Sequence, residues 1–334
     1  MRKASFQCID AHTCGNPVRL IVSNAPQLEG ATMGEKRLDF LAHHDWIRQA
    51  LMFEPRGHDM MSGGFLYPAI NADSDASILF VETSGCLPMC GHGTIGIVTA
   101  AIEHGYLQPK TPGQLTLDVP AGTIKVEYQQ NTDGKVTAVK IFNVPSFLAF
   151  QDQEIDIEGF GKLGYDVAYG GNFYAIIEPQ QNYPGLVEFG ASNIVRWSPV
   201  IRAAIDQQLN CVHPLDSKVK GLSHLLWTGE PQNADSDAAN AVFYGAKAID
   251  RSPCGTGTSA RMAQLFAKRQ LQQNDTFVHE SIIGSQFKGR IESTCEIGHH
   301  LAINPSIEGW AQVTGINTIF VDPADPYAQG FSVT

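Results

Sequence analysis

A chain of 334 residues is long enough for two domains with separate cores, and its 43% apolar and 17% charged residues are globular rather than disordered composition. A net charge of −11 without any Lys/Arg cluster argues against nucleic acid or an anionic membrane as partner, while a small zwitterion stays open because backbone dipoles can hold a carboxylate. No apolar run reaches membrane-spanning length, the first residues lack the apolar core of a signal peptide, and the seven cysteines (8, 14, 86, 90, 211, 254, 295) are an odd set, so reduced thiols in a cytoplasmic protein are expected.

Residues 1–30 hold short apolar runs such as Leu20–Val22, broken by Gly and Pro, and read as strands. Across 34–53, Leu38, Leu41, Trp46, Ile47, Ala50 and Leu51 recur at helical spacing. Ser77–Glu82 is a compact run suited to a buried strand. Thr94–Glu103 is apolar nearly all round and stops before Gly105, as a buried helix with a glycine terminator would. From Leu115 to Val144 the period changes to two, with Asp133-Gly134 as a hairpin turn. Asn143-Val144-Pro145-Ser146 is the expected first domain boundary. The second half repeats the plan loosely: a helix over Ile194–Leu209, strands at His224–Trp227 and Ala241–Tyr244, a helix from Thr256, then strands at Phe277–Ile283, Phe287–Glu292 and Thr318–Val321. Asn233–Asn240 is small and polar and reads as a surface loop.

Two segments carry the chemistry. Cys90-Gly91-His92-Gly93-Thr94-Ile95-Gly96 and Cys254-Gly255-Thr256-Gly257-Thr258-Ser259-Ala260 share Cys, Gly, Gly and Thr in register, about half a chain length apart, and each opens an apolar helical stretch. A helix N-terminus has unpaired N–H groups and about half a positive charge, so a thiol there is expected to ionise more readily, and the same N–H groups bind carboxylates. Two such termini facing one amino acid would hold its carboxylate and set a sulfur on each side of its α-carbon. One thiolate could then remove the α-proton while the opposite thiol supplies another. Such stereoinversion needs no metal, pyridoxal phosphate or nicotinamide.

Plainer readings compete. A buried cysteine is often only a small core residue. Both segments match the dinucleotide fingerprint Gly-x-Gly-x-x-Gly/Ala, but the first lies far from the N-terminal strand and lacks the acidic residue about 20 positions on. Cys86, Cys90 and His92 have zinc-like spacing without a second pair to complete four ligands. One cysteine in the same register of two half-chain copies outweighs each of these alone.

Met89-Cys90-Gly91-His92-Gly93-Thr94-Ile95 and Asp250-Arg251-Ser252-Pro253-Cys254-Gly255-Thr256-Gly257-Thr258 resemble the two signature segments of the proline racemase family. Asp10–Arg19, Glu54–His58, Asn143–Phe147, Tyr169–Tyr174 and Ser281–Ser285 extend the likeness over nearly the whole chain, toward the bacterial 4-hydroxyproline 2-epimerase branch. The resemblance implies a diaminopimelate-epimerase-like α/β (α+β) fold. Two pseudo-symmetric lobes would each wrap a sheet around a central helix, with the active site between them. The lobes would span 1–146 plus 318–334 and 147–317. It also implies Cys90 and Cys254 as the two bases and the backbones of Gly91-His92 and Gly255-Thr256 as carboxylate holders. Asp250 would meet the substrate ammonium, and His224 would touch the substrate.

From the residues alone, His224 reads equally as a core histidine, Asp250 as a cap on the Ser-Pro-Cys turn, and Tyr244 as either pocket wall or core. The chain has Cys14 and Asn16 where many relatives have Gly and Glu, which bears on the pocket rim more than on the reaction. Both cysteines are present, which favours epimerisation over the 3-hydroxyproline dehydratases, where one is commonly Ser or Thr. The expected activity is therefore cofactor-independent epimerisation of 4-hydroxyproline, ahead of proline racemisation or 3-hydroxyproline dehydration. The rivals of another class are a non-catalytic amino-acid binder and a dinucleotide-dependent oxidoreductase. A small-molecule substrate is the expected partner, with a homodimer open as the assembly.

Overall fold

The computed structural model describes residues 3–333. In chain order, the first elements are β1 (Ala4–Thr13), β2 (Asn16–Ile21), α1 (Met33–His43), α2 (Asp45–Met52), β3 (Ser62–Tyr67), β4 (Ala76–Glu82), α3 (Gly91–Glu103), β5 (Gln114–Val119), β6 (Gly122–Gln130) and β7 (Val136–Phe142). The next are β8 (Ser146–Ile157), β9 (Gly161–Tyr169), β10 (Phe173–Ile177), α4 (Leu186–Gln208), β11 (Val212–His213), β12 (Asp216–Lys220), β13 (Leu222–Gly229), β14 (Ala238–Tyr244), β15 (Ala248–Ile249) and α5 (Gly255–Ala267). The last are β16 (Thr276–Ser281), β17 (Gln286–Ile297), β18 (His300–Gly309) and β19 (Ala311–Val321).

Two compact units emerge: one runs through Ile141 and resumes at Gly309, the other is Phe142–Glu308. In the first, β1 pairs antiparallel with both β19 and β2, β2 parallel with β3, β3 antiparallel with β4, β4 parallel with β5, and β5 antiparallel with β6. In the second, β9 pairs antiparallel with β10, β10 parallel with β13, β13 antiparallel with β14, β14 parallel with β16, and β16 antiparallel with β17. The alternation of pairings is the same in both, and a buried helix follows the fourth strand of each series. The duplication visible around the cysteines therefore extends through each unit's topology. In the second unit, β17 pairs with β18, β18 with β8 and β8 with β9, so the sheet closes on itself. Helix α5 packs against β8, β9, β10 and β17, and ten of its residues are buried. Helix α3 is buried from Gly91 through Ala101 and packs against β1, β2, β3 and β19. This is a mixed α+β fold.

Local sequence accounts for most elements. β4 is buried at every position, as its apolar centre Ile78–Val81 leads one to expect, and the burial extends to Ser77 and Glu82. Thr32 and Glu35 form a reciprocal capping box on α1. The helical period over 34–53 is split at His44, which ends α1 and begins α2. Phe6, Phe40, Ile47, Leu51, Phe65 and Leu79 share one core, and α4 contributes Ile194, Ile201 and Ile205 to the core around Trp227 and Tyr183.

Three expectations change. The first unit ends at Ile141 rather than 146, and the return segment begins at Gly309 rather than 318. Strand β19 pairs with β1 from Thr13↔Ala311 to Ala4↔Val321, but Gln312, Thr314, Gly315, Asn317 and Thr318 hide most of it from an apolar scan. Helix α4 begins at Leu186 with a break at Gly190 (φ +74), which masked its first turn. The polar run Asn233–Asn240 is not wholly a loop, since β14 starts at Ala238 and Asn240 is buried.

Candidate active site

Cys90 is the N-cap of α3 and Cys254 the N-cap of α5, so each sulfur sits where its helix presents its first N–H groups. Both cysteines are buried. The shared glycines make room for the sulfurs. A Cβ on Gly93 would stand 2.8 Å from Cys90 Sγ, and one on Gly257 would stand 3.1 Å from Cys254 Sγ. The shared threonines tie the turns: Thr94 Oγ1 donates to the Cys90 carbonyl (2.8 Å) and Thr258 Oγ1 to the Pro253 carbonyl (3.1 Å).

Around Cys90, the His92 ring lies with Nδ1 3.6 Å from Sγ. Its Nε2 is 2.8 Å from Ser62 Oγ and 3.0 Å from the Asn16 carboxamide. Thr13 Oγ1 donates to the His92 carbonyl at 2.8 Å. The β1–β2 hairpin thus grips both ends of His92. The close approach depends on Gly96, where a Cβ would stand 2.9 Å from Thr13 Oγ1 and from Val18. Cys14, at the hairpin tip, takes φ +47, and its Sγ donates to the Trp310 carbonyl.

Around Cys254 the backbone is unusual. The residue adopts φ +62, a region that costs a residue other than glycine roughly 1–3 kcal/mol and that persists only where neighbours hold it. The hold is visible. Asp250 Oδ1 accepts from Ser252 N and Ser252 Oγ (2.8 Å each), Ser252 Oγ accepts from Cys254 N (3.2 Å), and Asn240 Nδ2 donates to the Pro253 carbonyl (2.8 Å). The sulfur accepts from Gly257 N at 3.4 Å and lies 3.4 Å from Tyr174 Oη. Tyr174 Oη is also 2.5 Å from Thr256 Oγ1, and its ring stacks on His224 at 4.7 Å. His224 faces Tyr174 in the parallel β10–β13 register and contacts Ser223 Oγ through Nδ1 at 2.6 Å. Tyr244 lies 6.4 Å from the His224 ring.

The helix field alone does not decide ionisation. Burial pushes the Cys254 thiol well above its ordinary range, and the Asp250 carboxylate pushes it further. Hydrogen bonds from Tyr174, Gly257 and Thr256 act the other way without cancelling this. Burial of Cys254 thus acts against the easier ionisation expected of a helix terminus.

The expected residues fall into two local groups, Cys90, Gly91 and His92 in the first unit and His224, Asp250, Cys254, Gly255 and Thr256 in the second. Asp250 does cap the Ser-Pro-Cys turn, as its plainer reading held. Ser62, Thr13 and Tyr174 were not named as site residues from sequence; Thr13 and Tyr174 lie within the segments Asp10–Arg19 and Tyr169–Tyr174, but Ser62 lies in none of the segments that carry the resemblance, and strand register brings each to its cysteine group. A cavity of about 300 Å³ lined by Asp152, Glu154, Asp166, Glu178 and Lys268 includes none of these residues. Among the described residues no cluster of three or more His, Cys, Asp or Glu stands where it could hold a metal ion, and no helix is long and apolar enough to cross a membrane.

Known proteins resemble this chain along its whole length. A 4-hydroxyproline 2-epimerase of Shewanella loihica is 64% identical over 333 residues, covering 100% of both chains. A 4-hydroxyproline epimerase of Brucella suis is 58% identical over 334 residues, again covering 100% of both. A crystal structure of a hydroxyproline epimerase from Agrobacterium vitis with bound trans-4-hydroxy-L-proline matches with TM-score 0.91 and 28% identity, covering 100% of this chain and 96% of that one. The model of the proline racemase family matches residues 8–332, which take in both cysteine-capped helices, and the chain belongs to that family.

Proposed function

We propose that this protein is a cofactor-independent 4-hydroxyproline 2-epimerase that interconverts trans-4-hydroxy-L-proline and cis-4-hydroxy-D-proline, with Cys90 and Cys254 as its two bases. The observation that carries the reading is a buried cysteine at the same N-cap position of two units with the same pairing series, in a chain 58–64% identical to proteins named for this epimerisation.

In this reading one sulfur serves each face of the α-carbon. A thiolate takes the α-proton and becomes a thiol. The electron pair left on carbon is drawn toward the carboxylate, and the other thiol gives its proton to the opposite face. The first-turn backbone of Gly91-His92 and Gly255-Thr256 stabilises the charge gathering on the carboxylate, as donors fixed in a buried site do best. Asp250 meets the ammonium, and His224 borders the ring. One sulfur acts as base and the other as acid for a given epimer, and the roles exchange for the reverse direction.

The test is incubation with each epimer in deuterated water, followed by proton NMR and chiral chromatography. The expected result is deuterium at the α-carbon of the epimer formed, and loss of turnover in both Cys90→Ser and Cys254→Ser, since the pair acts as one unit. Absence of α-deuterium in either epimer ends the reading. The same assay on proline and 3-hydroxyproline decides the substituent: a pocket that hydrogen-bonds the 4-hydroxyl leaves those groups unpaired with proline and rejects it. Equal rates on proline would make the enzyme a proline racemase instead.

A further inference from the structure

The pairing series repeats in the two units, but one of its ladders is not copied faithfully. Strands β2 and β3 pair in unbroken parallel register from Val18↔Ser62 to Ile21↔Phe65. Their counterparts β10 and β13 begin at Phe173↔Leu222 and continue at Tyr174↔His224, so Ser223 has no residue opposite it and bulges from the strand. A bulge re-aims the side chains beside it, and the residue that follows this one is His224, whose ring stacks on Tyr174 at 4.7 Å. A bulge also takes backbone groups out of the ladder, and those groups need other partners.

Helix α4, which packs on β13, supplies them. Asp206 Oδ1 accepts from Leu222 N at 2.7 Å. Arg202, one turn earlier on the same helix face, donates through Nη1 to the Ser223 carbonyl at 3.1 Å. The other arm of the guanidinium, Nη2, donates to the Gly245 carbonyl at 2.7 Å. Gly245 follows Tyr244, the last residue of β14, and takes φ +59. The guanidinium carbon lies over the Phe243 ring, 5.3 Å from its centroid. The β13–β14 ladder ends at Leu225↔Phe243, one residue short of His224 and Tyr244. Arg202 therefore ties the residue before His224 to the residue after Tyr244, across the open end of that ladder.

We infer that Arg202 is a positioning residue for substrate binding: its two arms hold the Ser223 bulge and the Tyr244–Gly245 turn, and so keep His224 aimed at the substrate ring. A planar fork can serve two carbonyls at once, which a lysine ammonium on the same stem does less well. This rests on the epimerase reading, in which His224 borders the ring.

The test uses full-length Arg202→Met, which keeps the apolar stem and loses both bonds, and Arg202→Lys, which keeps the charge without the fork. In Arg202→Met the KM for 4-hydroxyproline should rise about tenfold with kcat within about twofold of the parent, the pattern of lost binding, and Arg202→Lys should rise about threefold. A merely structural role would reduce the fraction of folded enzyme, which lowers kcat and leaves KM alone. Amide hydrogen exchange is read in parallel by mass spectrometry and needs no turnover. Peptides spanning 222–225 and 244–246 should exchange about tenfold faster in Arg202→Met, since two hydrogen bonds from a charged donor are gone, while peptides of α3 keep the parent rate. Unchanged KM with reduced kcat, or unchanged exchange in those two segments, overturns the inference. Absence of α-deuterium in the parent would instead sink the epimerase reading, and the exchange result would stand apart from it. Should Arg202→Met fail to fold, an unchanged KM in Arg202→Lys overturns the inference equally.

Discussion

Replacing Gly93 by alanine tests the site with a single methyl group. The added Cβ would stand 2.8 Å from Cys90 Sγ and 3.3 Å from Cys90 Cβ. Heavy atoms settle at about 3.5–4.0 Å, so the sulfur must retreat by roughly 0.7 Å or more. Misplacement of about 1 Å in a reacting group can cost about 100-fold in rate, and a loss approaching that size in kcat/KM is expected. Stability should change little. Replacing this first-turn glycine gains at most about 0.5–1 kcal/mol, and overpacking costs roughly 1–3 kcal/mol. At Gly257 the Cβ would stand 3.1 Å from Cys254 Sγ, a smaller intrusion with a correspondingly smaller loss. Gly315→Ala on β19, where a Cβ meets nothing within 4 Å, is the control and should match the parent. Turnover is measured as α-deuterium incorporation into 4-hydroxyproline, with thermal unfolding in parallel. A folded Gly93→Ala protein with undiminished turnover would refute the argument that this glycine exists to seat the sulfur.

Three more outcomes follow from the same structure. Tyr174→Phe removes a hydrogen bond that favours the Cys254 thiolate, so peptide-level alkylation of Cys254 should need higher pH, and a midpoint that falls or stays fixed would contradict the assigned contact. Burial raises Cys8 and Cys86 from 9.0 to about 12 and Cys211 to about 11. Raised folded values favour the neutral thiol, so their contribution is whole below about pH 9 and drains away as pH climbs toward 11–12. Urea unfolding at pH 10 should show about 1.4 kcal/mol lost per thiol relative to pH 8, and equal stability at both values would exclude this. Arg19 is buried and gives two hydrogen bonds to Asp10 and one each to the Leu51 and Arg56 carbonyls, so Arg19→Ala leaves two carbonyls without this donor and the partly exposed Asp10 with its bond from Asn317 Nδ2. Its expected cost is about 1–3 kcal/mol by denaturant titration, and a cost under about 0.5 kcal/mol would mean that water replaces the guanidinium.

The amino-acid sequence on its own determined that two half-chain copies exist and that each opens a buried helix with a cysteine. Those are local facts: a register of Cys, Gly, Gly and Thr, and an apolar helical period on the same dozen residues. Helix α3, the strand at β4 and the turn at Asp133-Gly134 were legible for the same reason. What surrounds each sulfur was decided only in three dimensions. Tyr174 meets Cys254 because β10 lies next to β13 and beside α5, and Ser62 meets His92 because β3 runs parallel to β2. Such register depends on contacts far apart in sequence, which no short window reports. The burial of Cys254 also belongs to the fold. A helix terminus can be read from a motif, but the desolvation that opposes ionisation there depends on how much of the chain closes over the sulfur.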